Sequence, residues 1–133
     1  MSNQFIIILD IILLALVLGF GLNWFFQWLQ QKRVGEGLSN EEFEKNMRKA
    51  QIIDVREAKE FKPKHISGAR NLPLTQLRLQ YKELRQDMPV YVYSDSKALS
   101  LRAANFLRKK GYTVKWLRDG FENWQGLTKK SKY

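Results

Sequence analysis

The chain has 133 residues, which is enough for one compact domain and a short additional segment. It contains no cysteine, and this excludes disulfides, thiolate metal sites and catalysis by a thiol of its own. No lysine or arginine precedes Lys32, so the rest of the chain carries all 23 basic and 12 of the 13 acidic residues, a net charge of +11. Such an excess favours anionic neighbours. A lipid headgroup surface is a nearer candidate than nucleic acid if the chain is tethered to a membrane.

The N-terminal segment is almost entirely apolar. Phe5 to Phe26 form a run of 22 residues, and at about 1.5 Å per residue a helix of this length spans roughly 33 Å, enough to cross the hydrocarbon core of a bilayer. We therefore predict one transmembrane helix within residues 1–30. A cleaved signal peptide is the main rival, but it requires basic residues before the apolar run and a small-residue cleavage site after it, and neither pattern occurs here.

The residues that flank this run predict its orientation. Trp24 and Trp28 suit an interfacial aromatic belt, and Lys32 and Arg33 follow closely. Because basic residues stay on the cytoplasmic side, the N-terminus is expected outside and the domain in the cytoplasm. Asp10 lies near the outer end of the run, where its carboxyl can reach the interface or be protonated.

Residues 31–50 are predicted to contain a linker and a capped helix. Gln30 to Leu38 is mostly polar and contains two glycines, which is typical of a short linker. Ser39 and Glu42 have the spacing of a capping box. They predict a helix that continues through Met47.

Beyond residue 50, short apolar runs alternate with helical patterns. Alternation of this kind predicts an α/β domain with a parallel sheet. The predicted elements are a strand at 52–55, a helical turn at 57–61, a strand at 69–72, a helix at 74–84, a strand at 90–93, a helix ending at Gly111, a strand at 114–117 and a short helix at 121–124.

The segment 51–127 resembles the rhodanese-like family in three separated blocks that occur in the family's order. The resemblance implies a three-layer α/β domain over these residues, followed by a basic tail at 128–133. The blocks are Ile53-Asp54-Val55-Arg56-Glu57, then His65-Ile66-Ser67-Gly68-Ala69 with Asn71-Leu72-Pro73, then a strand ending at Ser94 before a loop and a helix; Asp119-Gly120-Phe121 with Trp124 resembles the family's closing turn.

In that family a cysteine follows the strand, inside a loop whose backbone N–H groups stabilise a thiolate and the persulfide it carries. Here Ser94 occupies the cysteine position, Lys97 replaces the usual glycine and Leu99 stands where arginine is common. Asp95 adds a negative charge that should weaken anion binding. The resemblance therefore implies a degenerate active loop, comprising Ser94, Asp95, Ser96, Lys97, Ala98 and Leu99.

Other side chains of these blocks are expected to support the loop. Asp54 and Arg56 are predicted to fix it by charge pairing, and His65 to hydrogen-bond a turn rather than act as an acid or base. Ser94 as a hydrolase nucleophile would need a base, and none is visible in its motif. Lys97 and the loop amides are a candidate site for a small anion such as phosphate or sulfate.

These features predict a membrane-anchored, cytoplasm-facing, rhodanese-like domain without sulfurtransferase activity that binds or regulates an unknown protein partner. Two alternatives stay open: an enzyme that uses other chemistry, such as Ser94 with His65, and a sulfur-relay accessory whose partner supplies the thiol. No cofactor or metal is predicted, and no binding pattern supports nucleic acid. Membrane lipid is expected along the N-terminal helix, and the tail residues Lys129, Lys130 and Lys132 either are solvated or contact anionic lipid.

Overall fold

The apolar run and the residues after it form one helix, α1 (Ser2–Val34). The computed structural model describes residues 2–35 and 37–131, with the backbone alone at Ser2 and 30–34, so the predicted flanking side chains of Lys32 and Arg33 lie outside the described part. The segment Asn3–Leu29 is long and apolar enough to cross a membrane. The helix continues past Gln30 because glutamine, lysine and arginine are good helix formers, so the linker is shorter than predicted.

The remaining helices and strands alternate, as predicted, and the α/β fold is confirmed. The elements after α1 are α2 (Asn40–Asn46), β1 (Gln51–Asp54), α3 (Ala58–Phe61), β2 (His65–Ile66), β3 (Arg70–Asn71), α4 (Leu74–Gln80), β4 (Val90–Tyr93), α5 (Lys97–Lys109), β5 (Val114–Trp116) and β6 (Thr128–Lys129), with 3-10 turns at Met47–Lys49, Tyr81–Glu83 and Phe121–Asn123.

The capping box that the sequence predicts starts α2. The backbone N–H of Glu42 donates to Ser39 Oγ at 3.2 Å, and the N–H of Ser39 donates to Glu42 Oε1 at 3.5 Å. At the other end of the domain, Gly111 has φ +95° and follows the end of α5, which is the predicted C-terminal cap.

Four parallel strands form the main sheet in the order β3-β1-β4-β5. Parallel neighbours require crossover connections, and helices supply them here. Successive strand residues face opposite sides, so two apolar clusters form. One lies under α4 and α5 and includes Ile53, Val92 and Leu107. The other lies under α2 and includes Phe43 and Tyr91.

The predicted basic tail is partly structured, which the sequence did not indicate. Its first residues form β6, which pairs antiparallel with β2. Beyond β6, the N–H of Ser131 donates to the carbonyl of Lys62 at 2.8 Å. The backbone of the tail therefore belongs to the domain, although the side chains of Thr128 and Lys129 are exposed. Lys132 lies outside the described residues.

The short linker is bound to the edge of the sheet. The N–H of Leu38 donates to the carbonyl of Trp116 at 2.8 Å, and the N–H of Arg118 donates to the carbonyl of Leu38 at 2.9 Å. Trp116 Nε1 also donates to the carbonyl of Gly35 at 3.2 Å. These bonds fix the end of α1 next to the domain, and α1 packs against α5.

Two glycines of the linker offer a matched test of this attachment. Gly37 has φ +83°, and a Cβ there would lie 2.8 Å from the Trp116 ring; Gly35 has φ +85° and open space around it. Alanine at either position incurs about 1–2 kcal/mol of left-handed backbone strain. We expect Gly37→Ala to lower the free energy of unfolding by more than Gly35→Ala, because only the former displaces Trp116. Denaturant titration measures both; equal losses would contradict the described contact.

Candidate functional site

Ser94 lies directly after β4, at the carboxyl edge of the sheet. All four residues of β4 are buried, and Ser94 is itself only 1% exposed. Its Oγ accepts a hydrogen bond from the N–H of Ser96 at 3.1 Å. Its carbonyl accepts one from the N–H of Phe121 at 3.1 Å. The hydroxyl is therefore held inside the loop at the position that the resemblance assigns to a cysteine.

The rest of the loop starts helix α5. Ser96 is the N-cap, since its Oγ accepts from the N–H of Leu99 at 3.4 Å and its carbonyl accepts from the N–H of Ser100 at 3.1 Å. Asp95, Lys97 and Ala98 are exposed, whereas Leu99 is half-buried. The Leu99 amide, which could otherwise face an anion, is thus used to cap the helix.

Asp54 and Arg56 form a buried ion pair beside this loop. Asp54 is 0% and Arg56 6% exposed. Arg56 Nη2 lies 2.8 Å and Nε 3.0 Å from Asp54 Oδ2, and the N–H of Arg56 donates to Asp54 Oδ1 at 2.9 Å. The pair is bidentate and also fixes the backbone at the end of β1, which is the geometry of a strong charge-assisted contact.

The remaining contacts of Arg56 connect three segments. Its Nη2 donates to the carbonyl of Lys64 at 2.7 Å, its Nη1 lies 3.7 Å from Asp95 Oδ2, and its guanidinium lies 4.2 Å from the centroid of the Phe121 ring. Burial alone would lower the pKa of Arg56, but the hydrogen bonds and charge of Asp54 outweigh burial and raise it. The cation therefore holds the start of the loop through Asp95.

Two further residues of this network were not identified from the sequence. Asn71 Nδ2 donates to the carbonyls of Asp54 and Arg56, at 3.0 and 2.9 Å. Tyr93 Oη accepts from the N–H of Ile66 at 3.0 Å. Asn71 does lie in one of the motif blocks, but Tyr93 reads as an ordinary strand residue. Its long-range partner gives no local signal.

His65 makes its polar contact and its ring contact with Phe61. Its Nδ1 is 2.8 Å from the carbonyl of Phe61, and its ring stacks on the Phe61 ring at 3.8 Å between centroids. Within residues 2–35 and 37–131, no hydrogen bond joins His65 to Ser94. The structure therefore brings Asp54 and Arg56 to the loop but gives His65 a partner within its own turn.

The site as described has an oxygen where a thiol would be needed. A hydroxyl forms no persulfide, and it is a poor nucleophile without an adjacent base. Among the described residues, no group of three histidine, cysteine, aspartate or glutamate side chains could hold a metal ion. The arrangement offers a hydrogen-bonded loop with exposed side chains at Asp95, Lys97 and Ala98.

The buried phenol of Tyr93 predicts that the domain loses stability at alkaline pH. Burial raises the pKa of Tyr93, and the charge of Asp54 raises it further. A phenol whose pKa is higher in the folded than in the unfolded state stabilises the fold fully below about pH 10, and stability falls by about 1.4 kcal/mol per pH unit above it. We expect Tyr93→Phe to reduce this slope, while Tyr91, whose pKa burial also raises, retains part of it.

Urea titrations between neutral pH and pH 11 measure that slope. At neutral pH the variant should be less stable by about 1–3 kcal/mol, because the Ile66 N–H loses its acceptor. An alkaline slope equal to that of the parent chain would show that Tyr93 does not titrate with unfolding.

Comparisons with known proteins agree with this geometry. Residues 39–127 match the family described as the rhodanese-like domain. YqhL, an uncharacterized protein of Bacillus subtilis, is 43% identical over 124 residues, covering 92% of this chain and 98% of that protein. YrkF, a putative sulfur carrier protein of the same organism, is 32% identical over 78 residues, covering 58% of this chain and 42% of that one. A rhodanese-related protein from Thermoplasma volcanium has the same fold, with a TM-score of 0.67 at 22% identity, covering 71% of this chain and 98% of that chain.

Proposed function

This chain belongs to the rhodanese-like domain family, and we propose that it is a membrane-anchored binding module of that family which catalyses no sulfur transfer. One observation carries the proposal: Ser94 lies where the nucleophilic sulfur belongs, in a chain with no cysteine. Sulfur transfer through a persulfide requires a sulfur atom on the protein. The side-chain oxygen of Ser94 cannot supply it.

The loop geometry supports a binding role. Arg56 is buried in its ion pair with Asp54 and lies 3.7 Å from the Asp95 carboxylate, and Ser96 fixes the first turn of α5. A loop held in this way loses little conformational entropy when it binds a partner. Its exposed side chains, Asp95 and Ala98 among them, offer polar and apolar contact surface. We infer that a protein partner recognises this surface.

The exposed apolar surface of α1 supports the proposed anchoring in a membrane. Its apolar side chains from Phe5 to Phe26 are exposed on the protein, which in water would leave a large apolar surface uncovered. A bilayer provides the matching environment, and the Trp24 and Trp28 rings then lie at the interface.

A sulfur-relay accessory is the second candidate. The similarity to a putative sulfur carrier protein favours it, because a partner could bring the thiol or persulfide to the loop. An enzyme that pairs Ser94 with His65 has less support, since His65 is bonded to Phe61 instead.

Site-specific crosslinking tests the binding role. Because the chain has no cysteine, Asp95→Cys creates one attachment point for a thiol-linked photo-crosslinker in the loop. Thr113→Cys, just before β5 at the opposite edge of the sheet, is the matched control. In native membranes we expect a discrete adduct from position 95 and none from position 113. Adducts of equal yield from both positions, or none from position 95, would count against a partner at the loop.

The orientation of α1 gives a separate prediction. Single-cysteine variants Asn3→Cys and Ser131→Cys are treated in intact cells with a membrane-impermeant maleimide. We expect labelling at position 3 only, and labelling at position 131 after the membrane is permeabilised. The reverse pattern would place the domain outside the cell. Labelling of both positions before permeabilisation would exclude an intact single span.

A further inference from the structure

A crevice of about 230 Å³ separates the end of α1 from the start of α5. We call it the interface crevice; it is lined by Trp24, Gln27, Trp28, Lys97 and Leu101. We propose that the interface crevice binds the headgroup of an anionic phospholipid, with its phosphate on Lys97. The inference rests on the proposed anchoring of α1 in a membrane.

The position of the crevice along α1 places it at headgroup depth. The apolar run ends at Phe26, and Gln27 is the first polar residue after it. At about 1.5 Å per residue, Trp24 and Trp28 lie roughly 6 Å apart along the helix axis and straddle this boundary. They are 68% and 45% exposed, as expected for side chains of an interfacial belt.

Lys97, which belongs to the domain, places a cation at the same headgroup depth as Trp24 and Trp28. It is the first residue of α5 and is exposed, and its Nζ lies 6.0 Å from the centroid of the Trp116 ring. Within the described part of the chain, no carboxylate forms an ion pair with Lys97. The ammonium group is therefore available to an external anion in the crevice that Lys97 lines with Trp24 and Trp28.

The lining of the crevice matches a phospholipid better than a free anion. Lys97 and the Gln27 amide supply polar contacts for a phosphate, whereas Leu101 and the tryptophan rings supply apolar surface. A phospholipid satisfies both, because its acyl chains can run along the exposed apolar side chains of α1. Lys97 also follows the cap residue Ser96 directly, so a lipid here would lie next to the degenerate loop.

Quenching of tryptophan fluorescence by brominated lipids tests the proposal on the full chain in nanodiscs. Trp124→Phe is introduced throughout to lower the background from the domain. Brominated phosphatidylglycerol is compared with brominated phosphatidylcholine at equal mole fraction. We expect about a fivefold preference for the anionic lipid, which corresponds to the ~1 kcal/mol of one basic residue at a lipid surface.

Three variants and the addition of inorganic phosphate decide the result. Lys97→Gln should abolish the preference, Lys97→Arg should keep it, and Lys109→Gln, which removes the same charge from the other end of α5, should also keep it. Equal quenching by the two lipids, or a preference that survives in Lys97→Gln, would overturn the proposal. Loss of the preference on adding inorganic phosphate at constant ionic strength would assign the crevice to a free anion instead.

Alkaline carbonate extraction of the same variants separates this inference from the proposed function. If the chain stays in the membrane but shows no lipid preference, the proposed lipid site in the interface crevice is contradicted and the proposed anchoring is not. A chain that is released by carbonate contradicts the anchoring itself.

Discussion

Replacing Asp54 with alanine is expected to lower the free energy of unfolding by about 3–5 kcal/mol, because it leaves the guanidinium of Arg56 buried without its counter-ion. Asp54 is 0% exposed and receives three hydrogen-bonding groups of Arg56: Nε, Nη2 and the backbone N–H. Whole domains are stable by only about 5–15 kcal/mol. The substitution would therefore remove a large share of the stability of the domain. Denaturant titration of the full chain in detergent measures it.

An exposed ion pair provides the control for this variant. Arg85 and Asp87 form a salt bridge with side chains 63% and 67% exposed, where water and salt screen the interaction. Asp87→Ala should leave the unfolding midpoint close to that of the parent chain. If Asp54→Ala were tolerated equally well, Arg56 would have to find another partner or become hydrated, and the loop would not depend on the pair.

Placing a thiol at the family's position is expected to yield an unreactive cysteine. In Ser94→Cys, burial and the nearby Asp95 carboxylate both disfavour a thiolate, so the thiol pKa should lie above its ordinary ~8.5. Among the described loop residues, the amide of Ser96 alone donates a hydrogen bond to the Ser94 side chain, while the amide of Leu99 is engaged by Ser96 Oγ. We expect alkylation by iodoacetamide at neutral pH to be slower than that of an ordinary thiol.

Restoring the loop pattern should reverse this result. The combination of Ser94→Cys with Lys97→Gly and Leu99→Arg returns the family's glycine and arginine to the loop, and we expect its alkylation to be at least tenfold faster than that of Ser94→Cys, which corresponds to a thiol pKa lower by about one unit. Ser67→Cys, in the turn after β2, serves as the ordinary thiol. Rapid alkylation of the single variant Ser94→Cys would mean that the loop still stabilises an anion and has lost only its nucleophile.

Local signals in the sequence were sufficient for much of the fold. The capping box at Ser39, the cap at Gly111 and the buried strand before Ser94 each depend on residues within a few positions of one another, and the structure contains all three. The family blocks supplied the order of the elements. Periodicity and capping are properties of short segments, so a single sequence can reveal them.

The features that the sequence did not reveal depend on distant residues. β2 and β6 have two residues each, too few for a period-2 pattern. Their pairing joins His65 to Lys129 across 64 positions. In the same way, nothing near Arg56 indicates that the Phe121 ring will lie beneath its guanidinium, or that Lys97 will line a crevice with Trp24. Such contacts follow from tertiary packing, not from local propensity.

The most direct test of the central claim is a sulfur-transfer assay on the full chain in detergent, with thiosulfate as donor and cyanide as acceptor. We expect no thiocyanate above the protein-free blank from the natural chain, because Ser94 offers no sulfur atom. We also expect no more than marginal turnover from Ser94→Cys. Thiocyanate formation by the natural chain, lost in Ser94→Ala, would contradict the binding-module proposal and show that this site is an enzyme.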